Sequence, residues 1–142
     1  MTHPGRTSAE VAAPNGGTPG HVLLIEDEPN IATAIAFLLG RAGWHVSTHS
    51  DGTSAVAAVE RHRPDVVVLD VMLPGRSGFD ILAAVREGPL ARLPVLMLTA
   101  KGQAKDRERA EALGVTAFMT KPFSNAELVE RVARLAARGR VA

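Results

Sequence analysis

From His21 onward the chain alternates short apolar runs with longer segments of helical period. "HVLLIE" leads to a helix expected over about Pro29 to Arg41, and "WHVSTH" to one over about Gly52 to Arg61. "DVVVLD" leads to a helix near Gly78 to Arg86, "LPVLMLTA" to one near Gln103 to Leu113, and "VTAFMT" to one over about Asn125 to Arg138. Five strand-helix units in succession predict an α/β fold, with a parallel sheet wound by right-handed crossovers. The run Val66 to Leu69 sharpens this, because three consecutive valines cannot alternate between core and solvent. Such a strand is buried on both faces, as a parallel sheet covered by helices requires.

Punctuation follows the same division. Gly43, Gly88 and Gly114 come after helical segments, where a left-handed C-terminal residue is expected, and Pro64 stops another helix. In "SNAE", Ser124 can cap the last helix while Glu127 reaches back, and Leu128, Val132 and Leu135 form one apolar stripe. Residues 1–20, rich in Gly, Pro, Ala and Thr, read as a disordered leader, residues 21–138 as one domain and 139–142 as a tail.

Asp70 ends the both-face-buried run, at the strand terminus where open α/β sheets bind ligands. From that stretch alone, a chemical role and a simple turn cap stand level. Other strand ends change the balance: "LLIEDEP" places Glu26, Asp27 and Glu28 after the first, "LMLTAK" places Thr99 after the fourth, and "TKPF" places Lys121 after the fifth. If the first and third strands are neighbours, Glu26, Asp27 and Asp70 converge and repel unless protonated or countered by a cation. Oxygen-only ligands point to Mg²⁺. Lys121 adds an ammonium and Thr99 a hydroxyl, and together they would stabilise an arriving phosphoryl group. Each residue has a plainer use: Asp27 or Glu28 at a helix N-terminus, Thr99 in a strand, Lys121 as a solvated charge. Four such coincidences at one sheet edge favour the chemical reading.

Composition narrows the classes. Sixteen Lys and Arg against fifteen Asp and Glu leave no footprint of a nucleic-acid or membrane-surface binder. Without cysteine there is no thiol chemistry, and the histidines His3, His21, His45, His49 and His62 share no ligand spacing, so they read as surface residues. No apolar run approaches the ~20 residues of a membrane span, and the N-terminus lacks an apolar signal core, so a cytoplasmic protein is expected.

The strings "IEDEP", "LDVMLPGRSGFD", "LTA" and "TKPF" resemble, in order and context, a response-regulator receiver domain of two-component signalling. The resemblance covers about His21 to Arg138 and implies a flavodoxin-like (βα)5 sheet of order 2-1-3-4-5. It implies that Asp70 takes phosphoryl from a sensor histidine kinase or histidine phosphotransfer protein, as a phosphoacceptor rather than an enzyme. Mg²⁺ would be held by Asp27, Asp70 and the backbone carbonyl of Met72, with Glu26 acting through water. Lys121 would contact the phosphoryl oxygens through a chain with a cis bond to Pro122, and Thr99 and Phe118 would form the switch pair, the ring turning inward. A downstream protein effector is the implied output, with no direct contact to nucleic acid or membrane.

Two departures from the family pattern matter. Phe118 stands where many members have Tyr, which leaves only ring packing for the switch. Thr116 and Ala117 stand where an acidic pair often supports dimers against arginines such as Arg131 and Arg134, so a largely monomeric protein is expected. Met72 and Lys101, two positions after the acceptor and the switch threonine, should shield the acyl phosphate from water. Among rivals, a haloacid-dehalogenase-type phosphohydrolase would need a carboxylate at Met72, and a flavin carrier would not place "EDEP" at a phosphate loop. A pseudo-receiver that never takes phosphoryl would not need Asp70, Thr99 and Lys121 together.

Overall fold

The computed structural model describes residues 20–100 and 104–141. The expected leader therefore lies outside the described residues except for Gly20, and so does Lys101. Five strands, β1 (His21–Ile25), β2 (His45–His49), β3 (Val66–Asp70), β4 (Val95–Thr99) and β5 (Ala117–Thr120), form one parallel sheet in the order β2-β1-β3-β4-β5. Helices α1 (Pro29–Arg41), α2 (Ala55–His62), α3 (Gly78–Glu87), α4 (Ala104–Ala112) and α5 (Asn125–Val141) connect or follow the strands. This is the flavodoxin-like arrangement, with the topological switch between β1 and β3. No helix among the described residues is long and apolar enough to cross a membrane.

The consecutive apolar residues divide between two cores. Leu23, Ile25, Val67, Leu69, Val95 and Met97 pack with α2, α3 and Ala110 of α4 on one face. Val22, Leu24, Val66, Val68, Leu96 and Leu98 pack with α1 and α5 on the other. Every residue of β3 and β4 is buried, so neither strand can slide by one position without exchanging its two faces. β2 differs: as an edge strand it is only partly covered.

Helix ends largely follow the expected punctuation. Glu28 caps α1 by accepting the Asn30 N–H at 2.7 Å with Pro29 in the first turn, and Ser77 caps α3 by accepting the Asp80 N–H at 3.2 Å. Gly43 (φ 103°) and Gly114 (φ 89°) are left-handed, but Gly88 is not: its φ of −102° is extended, and the chain leaves α3 without a left-handed turn. Before Pro64 the left-handed residue is Arg63, φ 46°. Ser124 accepts the Glu127 N–H at 3.0 Å, while the Glu127 carboxylate lies 3.7 Å from Arg131. α2 begins at Ala55 rather than Gly52, because Gly52 is committed to the neighbouring loop. Its N–H donates to Pro74 O at 3.0 Å, and a Cβ there would meet Arg76 and Pro74 backbone.

Three of the four described histidines are not scattered. His21 and His45 are register partners on β1 and β2, and His62 packs against His21, a convergence that sequence spacing hides because the residues come from three elements.

Gly78 shows how tightly α3 is seated under the end of β3. A Cβ at this position would strike the Asp70 carbonyl oxygen and lie 2.9 Å from Val71 Cα. In an open helix, Gly to Ala stabilises by about 0.5–1 kcal/mol. Here overpacking against backbone costs about 1–3 kcal/mol and wins. Gly78→Ala is therefore expected to lower stability in urea denaturation by roughly 1–2 kcal/mol, and a stabilised variant would show that α3 is seated more loosely.

Candidate functional site

The carboxyl ends of β1, β3, β4 and β5 bring the polar residues together. Glu26 follows Ile25 and is buried, its backbone N–H donating to His49 O at 2.9 Å. Asp70, the last residue of β3, is buried too, while Asp27 is exposed at the rim. Ligand oxygens of Glu26, Asp27 and Asp70 all lie within 4.8 Å of one another, the only such group of three or more among the described residues.

Lys121 crosses from the end of β5 to these acids. Its Nζ stands 3.2 Å from Glu26 Oε1 and 3.4 Å from Asp70 Oδ1. The peptide bond from Lys121 to Pro122 is cis, and the Lys121 N–H donates to Thr99 O at 2.7 Å. Thr99 itself is buried at the end of β4. Glu26 also accepts the Glu28 N–H at 3.1 Å, so its carboxylate is held from two sides.

One ammonium does not balance this group. Burial, and then the neighbouring Glu26 carboxylate, push Asp70 up to about 6, against the opposing pull of Lys121. The donor set is oxygen only, open on the Asp27 side, and deficient in positive charge. Those properties fit a hard divalent ion such as Mg²⁺, which takes one or two carboxylates and keeps waters.

Other expected residues fall around this centre. Met72 follows on the β3–α3 loop, two residues after Asp70, and is 70% exposed. Together with Thr99, Phe79, Lys105 and Arg109 it lines a cavity of about 490 Å³ between the loop and α4. Phe118 is already turned inward, 5% exposed in the core on the α2, α3 and α4 face. Arg107 of α4 lies over its ring at 4.9 Å, and Arg109 over Phe79 at 4.3 Å.

Sequence reading missed the supports of the site. Gly52 and Gly75 interlock the β2–α2 and β3–α3 loops, and at Gly75 (φ 84°) a Cβ would strike Thr53 Oγ1. Arg86 donates to the carbonyls of Gly114 (2.8 Å), Ala91 (3.0 Å) and Leu93 (2.7 Å) and to Thr116 Oγ1 (3.2 Å), stapling α3 to the turns before β4 and β5. A small residue just after a capping Ser, as in "RSGFD", was the available signal for Gly78. Arg86 carried no signal, since its partners are mostly backbone carbonyls.

Comparison with known proteins agrees with this geometry. Residues 22–133 match the family model described as the response regulator receiver domain. The chain is 48% identical over 123 residues to the probable transcriptional regulatory protein TcrX of Mycobacterium tuberculosis, covering 86% of this chain and 52% of that protein. It is 40% identical over 121 residues to the alkaline phosphatase synthesis transcriptional regulatory protein PhoP of Bacillus subtilis, covering 85% and 50%. The chain thus spans about half the length of the curated relatives it matches. Among solved structures, the receiver domain of the sensor histidine kinase PA1611 from Pseudomonas aeruginosa, with a magnesium ion coordinated in its active site cleft, superposes with a TM-score of 0.78 at 32% identity, covering 84% of this chain and 99% of that one.

The charge deficit has a measurable consequence. Asp70 takes its proton near pH 6 in the folded protein and near the ordinary 3.8 when unfolded. Above pH 6 it is ionised in both states, and burying the ion opposes folding. As pH falls through 6 the folded state binds the proton first and stability rises. In chelator, Asp70→Asn is expected to melt higher than wild type at about pH 7.5, the gain shrinking toward pH 5. An Asn variant no more stable than wild type at neutral pH would contradict the assigned strain.

Proposed function

Because this chain belongs to the response regulator receiver family, we propose that Asp70 is its phosphoacceptor, charged by the phosphohistidine of a sensor histidine kinase or histidine phosphotransfer protein. The observation that carries the reading is the buried Asp70 carboxylate at a strand end, 3.4 Å from Lys121 and grouped with Glu26 and Asp27. An Asp70 oxygen attacks phosphorus as the donor's N–P bond breaks, giving an acyl phosphate on Asp70 and a free imidazole on the donor. β3, packed on both faces, holds that oxygen in place, which lowers the entropic part of the barrier. Lys121, freed from its carboxylate partners, pairs with the incoming phosphoryl oxygens, and the Thr99 hydroxyl reports their arrival to the Phe118 ring.

Asp27 and Asp70, with the Met72 carbonyl, would hold Mg²⁺ directly, and Glu26 would act through water. When bound, the ion supplies positive charge that keeps Asp70 ionised and shields it from the phosphoryl oxygens. The magnesium in the cleft of the PA1611 receiver supports this assignment.

The output is a protein-interaction face governed by Thr99 and Phe118, with protein rather than nucleic acid as its direct contact. TcrX and PhoP are named as transcriptional regulators and are about twice the matched length, which supports transcription as the output of a longer parent protein. A cytoplasmic setting fits this role. A largely monomeric receiver fits as well. The Thr116 hydroxyl is taken by Arg86 and by the Val95 N–H at 3.0 Å, and Arg131 and Arg134 face Glu127 and Glu130 on their own helix.

Phosphate-affinity electrophoresis after incubation with acetyl phosphate tests the proposal. Wild type should shift only with Mg²⁺, Asp70→Asn should not shift, and Asp27→Ala should need more Mg²⁺ than Glu26→Ala. A shift that survives chelator or the loss of Asp70 would overturn it. No shift under any donor would favour a pseudo-receiver.

A further inference from the structure

The opposite end of the sheet carries a second group of titratable side chains. His21 opens β1 and His45 opens β2; as register partners on adjacent parallel strands they leave the sheet on the same face. Their ring centroids are 4.7 Å apart with the planes at 43°. His62, the last residue of α2, sets its ring edge-on to His21 at 5.5 Å. His21 is the centre of the group. Its Nε2 lies 2.8 Å from Ser47 Oγ on β2, and its backbone N–H donates to Asp65 Oδ2, on the turn before β3, at 2.7 Å.

Among the described residues, the charges facing His21 are the imidazoles of His45 from β2 and His62 from α2, and the carboxylate of Asp65, which accepts a backbone N–H. While neutral, the His45 and His62 rings pack against His21 in tilted and edge-on contacts. One proton can be accommodated beside Asp65. A second places two cations about 5 Å apart at an edge of the sheet, where β2 pairs only with β1 and is otherwise packed against α1.

We propose that His21, His45 and His62 form a proton-sensitive latch: neutral, they fasten β2 and α2 to β1, and protonated, they repel and loosen the β2 edge. The Glu26 N–H donates to His49 O at the far end of β2, so loosening this strand withdraws one support of the carboxylate cluster. The direction of the proton linkage agrees. Burial first, then His45 and His62, hold His21 below the ordinary histidine value, with Asp65 opposing. At His21 the folded state thus binds less proton than the unfolded chain as pH falls through the histidine range, and the latch's stability, intact above that range, is lost there. Asp70 titrates with the opposite sign, so a global melt would mix the two effects; the readout must be local.

Histidine ring NMR and amide hydrogen exchange on the full chain between about pH 7.5 and 5.5 provide it. The probes are wild type, His45→Gln, His62→Gln and the double variant, all conservative changes outside the acceptor site. The latch predicts that His21 titrates below the ordinary range in wild type and moves upward in each variant. It also predicts that protection of β2 amides, corrected for intrinsic exchange, falls at least about fivefold on acidification in wild type and under twofold in the double variant. An ordinary His21 titration unmoved by either substitution, or β2 protection that responds equally in wild type and double variant, would overturn the proposal. The wild-type titration decides the first arm even if a variant fails to fold.

Discussion

The rest of the structure answers to one electrostatic constraint: three carboxylates held at a single edge of the sheet with one ammonium among them. Left to themselves, Glu26, Asp27 and Asp70 would separate or protonate. They do not separate because Asp70 ends a strand buried on both faces, Glu26 is pinned by the Glu28 N–H and Lys121, and α3 presses Gly78 against the Asp70 carbonyl. The hydrophobic core thus holds the charges together. The remaining deficit appears as a raised Asp70 and as an open, all-oxygen ligand set.

The attachment of the elements is graded to match. β3 and β4 are wholly buried, and the loops at the Asp70 end of the sheet interlock through glycines that admit no side chain. α4 is the contrast: of its residues only Ala110 is buried, and two arginines from its surface lie over Phe118 and Phe79. Such a helix can shift at small cost, since few apolar contacts are lost when it moves. A rigidly held Asp70 beside a loosely held helix and an aromatic ring suits the proposed acceptor, whose charge state must be read from outside.

Much of this was legible in sequence because it rests on contiguous patterns. The valine run, buried on both faces, identified β3, and alternation with helical segments predicted a parallel α/β sheet; the strand order came only with the family resemblance. The site was legible for the same reason: Asp70 and Thr99 end their strands, and Glu26, Asp27 and Lys121 come within two residues of the ends of theirs, so topology brings them to one edge. What escaped depends on contacts between distant segments. The histidine group joins two strand starts and a helix end, the Gly52 and Gly75 interlock joins two loops, and Arg86 binds mostly carbonyl oxygens that no side-chain pattern marks. Gly88 misled because a glycine after a helix permits the left-handed turn without requiring it.

The carboxylate cluster is short of positive charge, and a hard dication is the proposed supplier. Thermal unfolding during titration with Mg²⁺ tests this most directly, since an ion that binds only the folded state raises the midpoint by mass action. Wild type should gain several degrees and saturate. Asp27→Ala should gain far less, and Ca²⁺ or Na⁺ at equal ionic strength should not reproduce the Mg²⁺ response in full. A wild-type midpoint indifferent to Mg²⁺, or one raised equally in Asp27→Ala, would contradict the account.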